Sequence, residues 1–346
     1  MMQKTLDEVN SSVGNIYYLI PDRHNKDFNI RRFLRSVKRG KTLTHIKNHW
    51  FAKHKPVGGV KVMYQHCLLL NDVGYQVYTL LLGRYHGNFF GYDIETKHVD
   101  ETGYTFNDND ILVFPEYLPY LSAQFKGGKK IIFVQGAPYN NLSEQDQHKS
   151  YTELGYDEVW YCSKYLGTLL RKGDFSEQGY ISNFIDLDVF RSAADKRIKG
   201  RLLVMPRKRP DVIRAILNYI KPFNVDVFFA DGLSEAELVL EYQKSDVFLT
   251  TGYPEGFGLP PLEAMACGCI VVGFTGGGGA EFMINEKTAL VADDGDSYFA
   301  AIQVLRALSD TSVQESLRQQ GMDTANTYGW QKTSTSLVNF FNRLEF

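Results

Sequence analysis

The stretch from Glu255 to Gly268 reads EGFGLPPLEAMACG. Its two carboxylates, Glu255 and Glu263, are separated by seven residues across a turn rich in glycine and proline. The turn contains Gly256, Gly258, Pro260 and Pro261. Proline suits the first helical turn, where its missing N–H would have had no partner, and glycine lets the backbone approach a ligand closely. Because small and apolar residues follow, the stretch predicts the start of a helix.

This helix start has the chemistry of a phosphate site. The N–H groups around Phe257 to Leu259 are expected to point outward at the positive end of the helix dipole. One glutamate lies before the turn and the other inside the first helical turn, so both are expected to flank one small molecule. Carboxylates accept hydrogen bonds from vicinal hydroxyls, which predicts a sugar nucleotide. The alternative is an ordinary helix with a capping acid, because acidic residues stabilise a first turn by themselves.

The full stretch resembles the E-x7-E signature of the retaining glycosyltransferases of family 4. That resemblance implies the GT-B fold, an α/β architecture of two Rossmann-like domains with a donor cleft between them. It implies that Glu255 contacts the donor sugar in the catalytic site and that Glu263 binds the nucleotide ribose. It also implies that no metal and no other cofactor is needed. The residues assigned to donor binding in the turn are Gly256, Phe257, Gly258 and Leu259.

Length and composition predict two domains and no export. A chain of 346 residues exceeds what one core usually serves. No run of about 18 apolar residues occurs, and the N-terminus lacks the pattern of a signal peptide, so we expect a soluble, cytoplasmic protein. The four cysteines suggest no zinc or disulfide framework, and buried, reduced thiols are expected. The predicted domains are 1–184 and 185–328, followed by a C-terminal helix, 329–346, which the resemblance implies crosses back to the first domain.

The segment 22–55 is strongly basic. It holds eleven Lys and Arg against two Asp, whereas the whole chain has a net charge of −2. Apolar residues at 30, 33, 34 and 37 predict a short basic amphipathic helix. Two interpretations stay open: contact with an anionic surface, such as the inner face of a membrane or an acidic acceptor, or a solvated helix packed on its domain. No nucleic-acid-binding motif appears, so nucleic acid is not an expected partner.

The first half of the chain predicts a parallel sheet. Strands are expected at 15–20, 74–82, 110–114, 130–134 and 158–163, with helices at 60–71 and 164–172. The resemblance identifies Gly58 and Gly59 with the family's glycine loop at the cleft, although more than 30 residues separate them from the first strand. Gln135 follows a strand at the position where the family often has a histidine, and a glutamine there can still donate to a sugar hydroxyl.

The second half predicts another parallel sheet with a cationic loop after its first strand. Strands are expected at 201–205, 225–230, 246–250, 269–273 and 289–292, with helices from 211 and over 234–243, then two terminal helices with Trp330 between them. The resemblance assigns diphosphate binding to Arg207 and to a second cation, either Lys208 or Arg209. Such cations neutralise the charge of a departing diphosphate. A glycine loop, Gly277 to Gly279 with Gly278 between them, is expected to line the cleft.

The function predicted is transfer of a sugar from a nucleotide-diphosphate sugar to a glycan, lipid-linked or protein acceptor, with retention of configuration. A sugar-nucleotide epimerase of the same fold is one alternative, but it needs acid and base groups, and neither His66 nor His86 is a convincing candidate. The other alternative is a non-catalytic protein that binds a sugar nucleotide. It is suggested by Gln135, which lies where the family often has a histidine. Three D-x-D sequences lie in a strand approach, a linker and a turn, where acids are ordinary, so no metal site is assigned.

Overall fold

The computed structural model of the protein describes residues 13–20, 58–82 and 92–344. The basic segment 22–55, with its predicted amphipathic helix, and His86 lie outside these ranges. The chain divides into two compact units. One unit consists of residues 1–133, 143–159 and 341–346, and the other of residues 134–142 and 160–340. The domain boundary near residue 185 and the course of the last helix stay predictions.

The first sheet has six strands in the order β3-β2-β1-β4-β5-β6. The strands are β1 (Ile16–Ile20), β2 (Val77–Leu81), β3 (Thr96–His98), β4 (Ile111–Pro115), β5 (Lys129–Val134) and β6 (Glu158–Tyr161). The pairs that β1 forms with β2 and with β4 are parallel. Every residue of β1 is buried, as expected for a parallel strand covered on both faces. The five strands predicted here are confirmed with bounds that differ by up to three residues, and β3 was not predicted.

The helices that follow strands of the first sheet are short, apart from the first. They are α1 (Gly58–Asp72), α2 (Val99–Thr102) and α3 (Lys164–Leu169). Helix α1 connects β1 to β2 and buries Val62, Met63, Cys67 and Leu70. The predicted helix at 60–71 is therefore confirmed. Helix α3 begins where the side chain of Ser163 accepts a hydrogen bond from the N–H of Leu166, and it ends three residues before the predicted limit.

The second sheet has five parallel strands in the order β11-β10-β9-β7-β8. They are β7 (Ile198–Val204), β8 (Asp226–Phe229), β9 (Ser245–Thr250), β10 (Ile270–Gly273) and β11 (Ala289–Val291). Each matches a predicted strand. The core on one face of this sheet is aliphatic and includes Leu202, Val247, Val272 and Leu290. Burying each such side chain contributes about 1.5–3 kcal/mol of hydrophobic free energy.

Six helices of the described chain follow in the second unit. They are α4 (Pro210–Ile220), α5 (Glu235–Lys244), α6 (Leu259–Ala266), α7 (Ser297–Ser309), α8 (Thr311–Asn326) and α9 (Trp330–Phe341). Helix α4 places Val212, Ile213, Ile216 and Ile220 in the aliphatic core. Ser234 caps α5 as predicted, because its hydroxyl accepts from the N–H of Glu237.

The prediction of two terminal helices was wrong. Three helices follow Asp296, since the chain breaks at Asp310 and Trp330 begins the last helix. Asp310 ends α7 in an extended conformation, and its carboxylate then accepts a hydrogen bond from the N–H of Ser312. The hydrophobic pattern predicted one helix here, but Asp310 ends α7 and caps the start of α8.

Two further findings concern the described residues as a whole. None of their helices is long and apolar enough to cross a lipid bilayer. Cys67, Cys162, Cys267 and Cys269 are buried and form no disulfide, as predicted. Burial raises the pKa of the Cys269 thiol to about 12, so this side chain behaves as a small apolar group at neutral pH.

Candidate functional site

The candidate site lies at the carboxyl edge of the second sheet, where the strand order changes direction. Strands β7 and β9 are neighbours, but the chain leaves β7 toward β8 on one side and leaves β9 toward β10 on the other. The loops after β7 and β9 therefore diverge and leave a crevice between them. Ligands of open α/β sheets bind at such switch points. These loops are 205–209 and 251–258.

An ion pair joins the two loops across this crevice. The ammonium group of Lys208 donates a hydrogen bond to Oε2 of Glu255. The hydroxyl of Thr251 donates to the carbonyl of Lys208 at 3.3 Å. The Lys208 side chain is 58% exposed and that of Glu255 is 25% exposed. Because an exposed ion pair contributes about 1 kcal/mol or less to stability, packing does not explain why these opposite charges meet here.

Hydrogen bonds to the glycine loop fix the backbone of Glu255. Its N–H donates to the carbonyl of Gly276 at 2.8 Å, and its own carbonyl accepts from the N–H of Gly278 at 3.0 Å. The carboxylate of Asp294 accepts from the N–H of Gly276 at 3.1 Å. Burial raises the pKa of Asp294 above its usual value. The loops after β9, β10 and β11 thus form one connected support for Glu255.

Backbone packing requires glycine at several of the predicted site positions. A Cβ atom on Gly256 would lie 2.0 Å from the carbonyl oxygen of Gln135, and one on Gly278 would lie 2.3 Å from the carbonyl oxygen of Gly256. Gly277 has φ of 92° and packs on the ring of Tyr165. Gly279 is buried beside Met283. The structure therefore brings Gln135 and both glycine-rich loops together, while their contact with a donor stays a prediction.

Helix α6 begins without a side-chain cap. Gly258 precedes it with φ of 97°, a left-handed conformation that favours glycine, and Pro260 and Pro261 occupy its first turn. Within the described ranges, the N–H groups of Phe257, Gly258 and Leu259 have no hydrogen-bond acceptor. A helix N-terminus with unsatisfied donors is the usual structural basis of an anion site.

Glu263 does not lie in the first turn of α6, which corrects the expectation from the sequence. The helix begins at Leu259, so Glu263 is its fifth residue. The left-handed Gly258 delays the helix start, and the two prolines fill the turn that the glutamate was expected to share. Oε2 of Glu263 lies 3.4 Å from the hydroxyl of buried Tyr242. Burial and this carboxylate raise the pKa of Tyr242 well above its usual value.

The three cations of the β7 loop have different surroundings. Arg207 is exposed, and no ion pair or hydrogen bond of its side chain occurs among the described residues. Arg209 adopts φ of 51° directly before α4. Its guanidinium lies 4.0 Å from the centroid of the Tyr253 ring and also donates to the Tyr253 hydroxyl. Lys208, between them, is the cation that contacts Glu255.

The remaining predicted residues lie in the first unit. Gly58 and Gly59 are the first residues of α1, and Gly58 is exposed. His66 lies on the same helix but is fully buried, with Nδ1 3.4 Å from the Tyr18 hydroxyl and its ring 5.1 Å from that of Phe133. Burial lowers the pKa of His66 to about 3. A sealed, uncharged histidine of this kind is a core residue rather than an acid or base for a substrate.

The sequence did not single out several residues that complete the site. Tyr253 holds Arg209, Asp294 holds the glycine loop, and Tyr242 contacts Glu263. Asp294 belongs to one of the D-x-D sequences that were set aside as a turn. In the sequence, Tyr242 was recognisable only as an aromatic residue of a predicted helix. In the part of the chain that the structure describes, no group of three or more His, Cys, Asp and Glu side chains is placed to hold a metal ion.

Comparison with protein families gives a partial match. Residues 219–324 match the model described as glycosyl transferases group 1. This segment includes Glu255, Glu263 and the glycine loop, but the β7 loop lies before it. The matched segment covers 106 of the 346 residues.

Curated relatives match part of the chain. A D-inositol 3-phosphate glycosyltransferase of Paenarthrobacter aurescens is 27% identical over 147 residues, covering 38% of this chain and 36% of the relative. The O-antigen chain mannosyltransferase B of Escherichia coli is 31% identical over 110 residues, covering 32% of this chain and 28% of the relative. The chain thus spans about a third of the length of the curated relatives it matches.

Solved structures match nearly the whole chain. HepE of Anabaena, in a complex with UDP-glucose, superposes with a TM-score of 0.68 at 13% identity, covering 95% of this chain and all of that one. Sucrose-phosphate synthase from Thermosynechococcus elongatus superposes with a TM-score of 0.66 at 14% identity, covering 95% of this chain and 98% of that one. At this identity the likeness shows the fold alone. The predicted fold, two Rossmann-like α/β domains as in GT-B glycosyltransferases, is confirmed.

Proposed function

We propose that this chain is a retaining glycosyltransferase that moves a sugar from a nucleotide-diphosphate sugar to an acceptor hydroxyl in glycan or glycoconjugate synthesis. The Lys208–Glu255 ion pair at the switch point of the second sheet carries this proposal. It places a cation for phosphate and a carboxylate for sugar hydroxyls in the loops on either side of one crevice. The curated relatives are named as glycosyl and mannosyl transferases, and HepE was solved with UDP-glucose, which supports this class of donor.

In the proposed mechanism Lys208 exchanges partners. When the donor binds, the ammonium group leaves Glu255 for the diphosphate, and Glu255 becomes free to accept hydrogen bonds from the sugar. Negative charge grows on the diphosphate as the glycosidic bond breaks, so the contact of Lys208 strengthens toward the transition state. Arg207, exposed in the same turn, is the second cation. The acceptor hydroxyl attacks the face that the diphosphate leaves and gives its proton to the departing diphosphate oxygen, so the configuration is retained.

The other donor contacts follow from the start of α6. The N–H groups of Phe257, Gly258 and Leu259 would bind phosphate oxygens, because a helix N-terminus favours anions. Glu263, in the second turn, would accept hydrogen bonds from the ribose hydroxyls. Arg209 is assigned a supporting role instead of phosphate binding, since its guanidinium is held by Tyr253. No metal is assigned to the reaction, and the acceptor would be a glycan, lipid-linked or protein hydroxyl.

The donor can be identified by thermal shift with UDP-, GDP- and dTDP-sugars. A ligand stabilises a folded protein according to the ratio of its concentration to its dissociation constant, so a true donor raises the melting temperature. The native chain should respond to one nucleotide class, and Glu263→Ala should lose the response. Glu315→Ala, which removes an exposed glutamate of α8, is the matched control and should respond like the native chain. If no saturating nucleotide sugar stabilises the folded native chain, the proposal is wrong.

Product analysis then separates transfer from the two alternatives. Incubation of the identified donor with acceptors should release nucleoside diphosphate and form a new glycoside with the anomeric configuration of the donor, as read by NMR. An epimerase would convert the donor without an acceptor, and a non-catalytic protein would bind it unchanged. The burial of His66 removes it as the acid or base that an epimerase needs.

A further inference from the structure

A cavity of the second unit lies beside α3, and neither Lys208 nor Glu255 is among its lining residues. Its volume is about 560 Å³, within the range of small-molecule sites, which is roughly 300–1,000 Å³. Three aromatic residues and three polar residues provide most of its lining. They are Tyr161, Phe175 and Tyr180, with Lys164, Thr168 and Glu177.

The aromatic side of this cavity is a continuous wall of rings. The rings of Tyr161 and Phe175 are stacked at 5.9 Å with an interplanar angle of 28°. The ring of Tyr180 lies 5.9 Å from that of Tyr161 on a plane tilted by 36°. Phe175 is 49% exposed. An exposed ring at the mouth of a cavity offers its face to a ligand.

The hydroxyls of the two tyrosines are already engaged in the protein. That of Tyr161 donates to the carbonyl of Ser176 at 3.0 Å, and that of Tyr180 donates to Oε2 of Glu281 at 2.7 Å. What this wall presents to a ligand is therefore apolar ring surface. Polar recognition is assigned to the exposed residues Lys164, Thr168 and Glu177, which supply one cation, one hydroxyl oxygen and one carboxylate. The Thr168 hydroxyl donates to the carbonyl of Tyr165 at 2.7 Å, so toward a ligand it acts as an acceptor.

This combination suits a neutral pyranose. One face of a pyranose ring carries mostly C–H bonds and packs on an aromatic ring, while hydroxyls at its edge both donate and accept hydrogen bonds. A diphosphate would meet only one cation here and would be repelled by Glu177. The cavity therefore differs in chemistry from the proposed donor site, where the lysine and the N–H groups of α6 favour phosphate.

Glu281 connects the wall of the cavity to the loop that supports Glu255. Its carboxylate accepts from the N–H of Lys164 at 2.5 Å as well as from the Tyr180 hydroxyl. Glu281 ends the 3₁₀ turn that begins at Gly278, and the N–H of Gly278 donates to the carbonyl of Glu255. A single short turn thus separates the cavity wall from the site assigned to the donor sugar.

We propose that this cavity is the acceptor subsite and binds a neutral glycosyl residue next to the hydroxyl that receives the sugar. This inference rests on the proposed function, which it extends by naming a saccharide as the acceptor class. The ring of Phe175, supported by the buried ring of Tyr161 and flanked by Tyr180, packs on the face of the sugar. Lys164, Thr168 and Glu177 bind its hydroxyls.

Saccharide binding can be measured without donor by saturation-transfer difference NMR on the full chain. The probes are methyl α- and β-glycosides of glucose, galactose, mannose and N-acetylglucosamine, with their common disaccharides. Phe175→Ala removes the exposed ring, and Thr168→Trp fills the cavity from an exposed helical position. Leu169→Trp is the matched control, because Leu169 is the next residue of α3, is 40% exposed and does not line the cavity.

At least one saccharide should bind the native chain and Leu169→Trp equally, and about tenfold more weakly to both cavity variants. Melting temperatures show that the variants are folded, and thermal shift with the donor should be unchanged in all of them. If no saccharide binds the native chain, or if binding persists in both folded cavity variants, the inference is wrong. A failed donor response with a saccharide response that follows the cavity variants would refute glycosyl transfer and with it the acceptor assignment, while saccharide binding in the cavity would stand.

Discussion

The two sheets of this protein have an equivalent order of central strands, but the ionisable groups that follow those strands differ in burial. In the first, β1 lies between β2 and β4, and in the second, β7 lies between β8 and β9. His66, on the helix that follows β1, is completely buried against Tyr18 and Phe133. Lys208, in the loop that follows β7, is 58% exposed and meets Glu255. Equivalent strand order therefore does not determine whether an ionisable group is buried or exposed.

Solvation explains the difference. Burial lowers the pKa of His66 to about 3, so its imidazole is uncharged at neutral pH and packs against Tyr18 and Phe133. Lys208 keeps much of its hydration because its side chain is 58% exposed, so its ion-pair partner can be exchanged at small cost. A mobile, solvated cation suits a substrate that arrives and leaves with negative charge. Four predictions test this contrast.

The largest effect is expected for Lys208→Met. Because the ammonium group is assigned to the departing diphosphate, we expect turnover of the identified donor to fall about 100- to 1,000-fold, mostly in kcat. Urea unfolding should change by about 1 kcal/mol or less, since the ion pair is exposed. Lys221→Met removes another exposed lysine of the same unit and should keep native turnover. Near-native turnover of Lys208→Met would remove this residue from the mechanism.

A smaller effect is expected for Gly278→Ala, which tests how rigidly Glu255 is supported. The added Cβ would lie 2.3 Å from the carbonyl oxygen of Gly256, so the loop has to shift at a cost of about 3 kcal/mol. Gly321→Ala is the matched control because its nearest neighbours would lie at an ordinary 3.5 Å, and alanine in a helix gains up to about 1 kcal/mol. Chemical denaturation measures the free energy of unfolding of both variants. Equal stability of the two variants would contradict tight packing of this loop.

The third prediction concerns pH and His66. The unfolded chain takes up a proton on this residue near its ordinary pKa of 6.5, whereas the folded chain does so only near 3. Stability is therefore fully present above pH 6.5 and is lost as the pH falls from 6.5 toward 3. Between pH 7.5 and 5 this loss amounts to about 2 kcal/mol.

His66→Phe should remove that loss, as measured by urea unfolding at both pH values. His148→Phe, at an exposed position, should leave the pH dependence as in the native chain. The comparison between the sheets would fail if His66→Phe and the native chain lost the same stability on acidification.

The smallest effect is expected for Arg209→Met, which contrasts two adjacent cations of one loop. Loss of the contact with Tyr253 should cost about 1 kcal/mol of stability, and turnover should fall less than about tenfold. Tyr253→Phe keeps the aromatic ring but loses the hydroxyl. Its stability should lie between those of Arg209→Met and the native chain. Chemical denaturation measures the stability of each variant, and kinetic assays with the identified donor measure its turnover. If Arg209→Met abolished turnover without loss of stability, Arg209 would bind the phosphate in place of Lys208.

The sequence was sufficient to predict most of the parallel strands. Runs such as Ile16–Ile20 and Val247–Leu249 are uniformly apolar because helices cover both faces of a parallel sheet. It was less reliable for helix ends. Glu263 lies one turn later in α6 than predicted because Gly258 adopts a left-handed conformation, and Asp310 divides the terminal helices by capping. Both depend on a single backbone or side-chain geometry that a hydrophobic pattern does not record.

By itself the sequence determined the order of strands and helices and the group of residues in which to search for a site, from Arg207 to Arg209 and from Glu255 to Glu263. Only the tertiary structure decided that Lys208 meets Glu255 while Arg209 packs on Tyr253. The two cations are adjacent and carry the same charge, so spacing cannot distinguish them. The physical reason is that their roles depend on the left-handed backbone at Arg209 and on the loop that β9, far away in the chain, brings beside them.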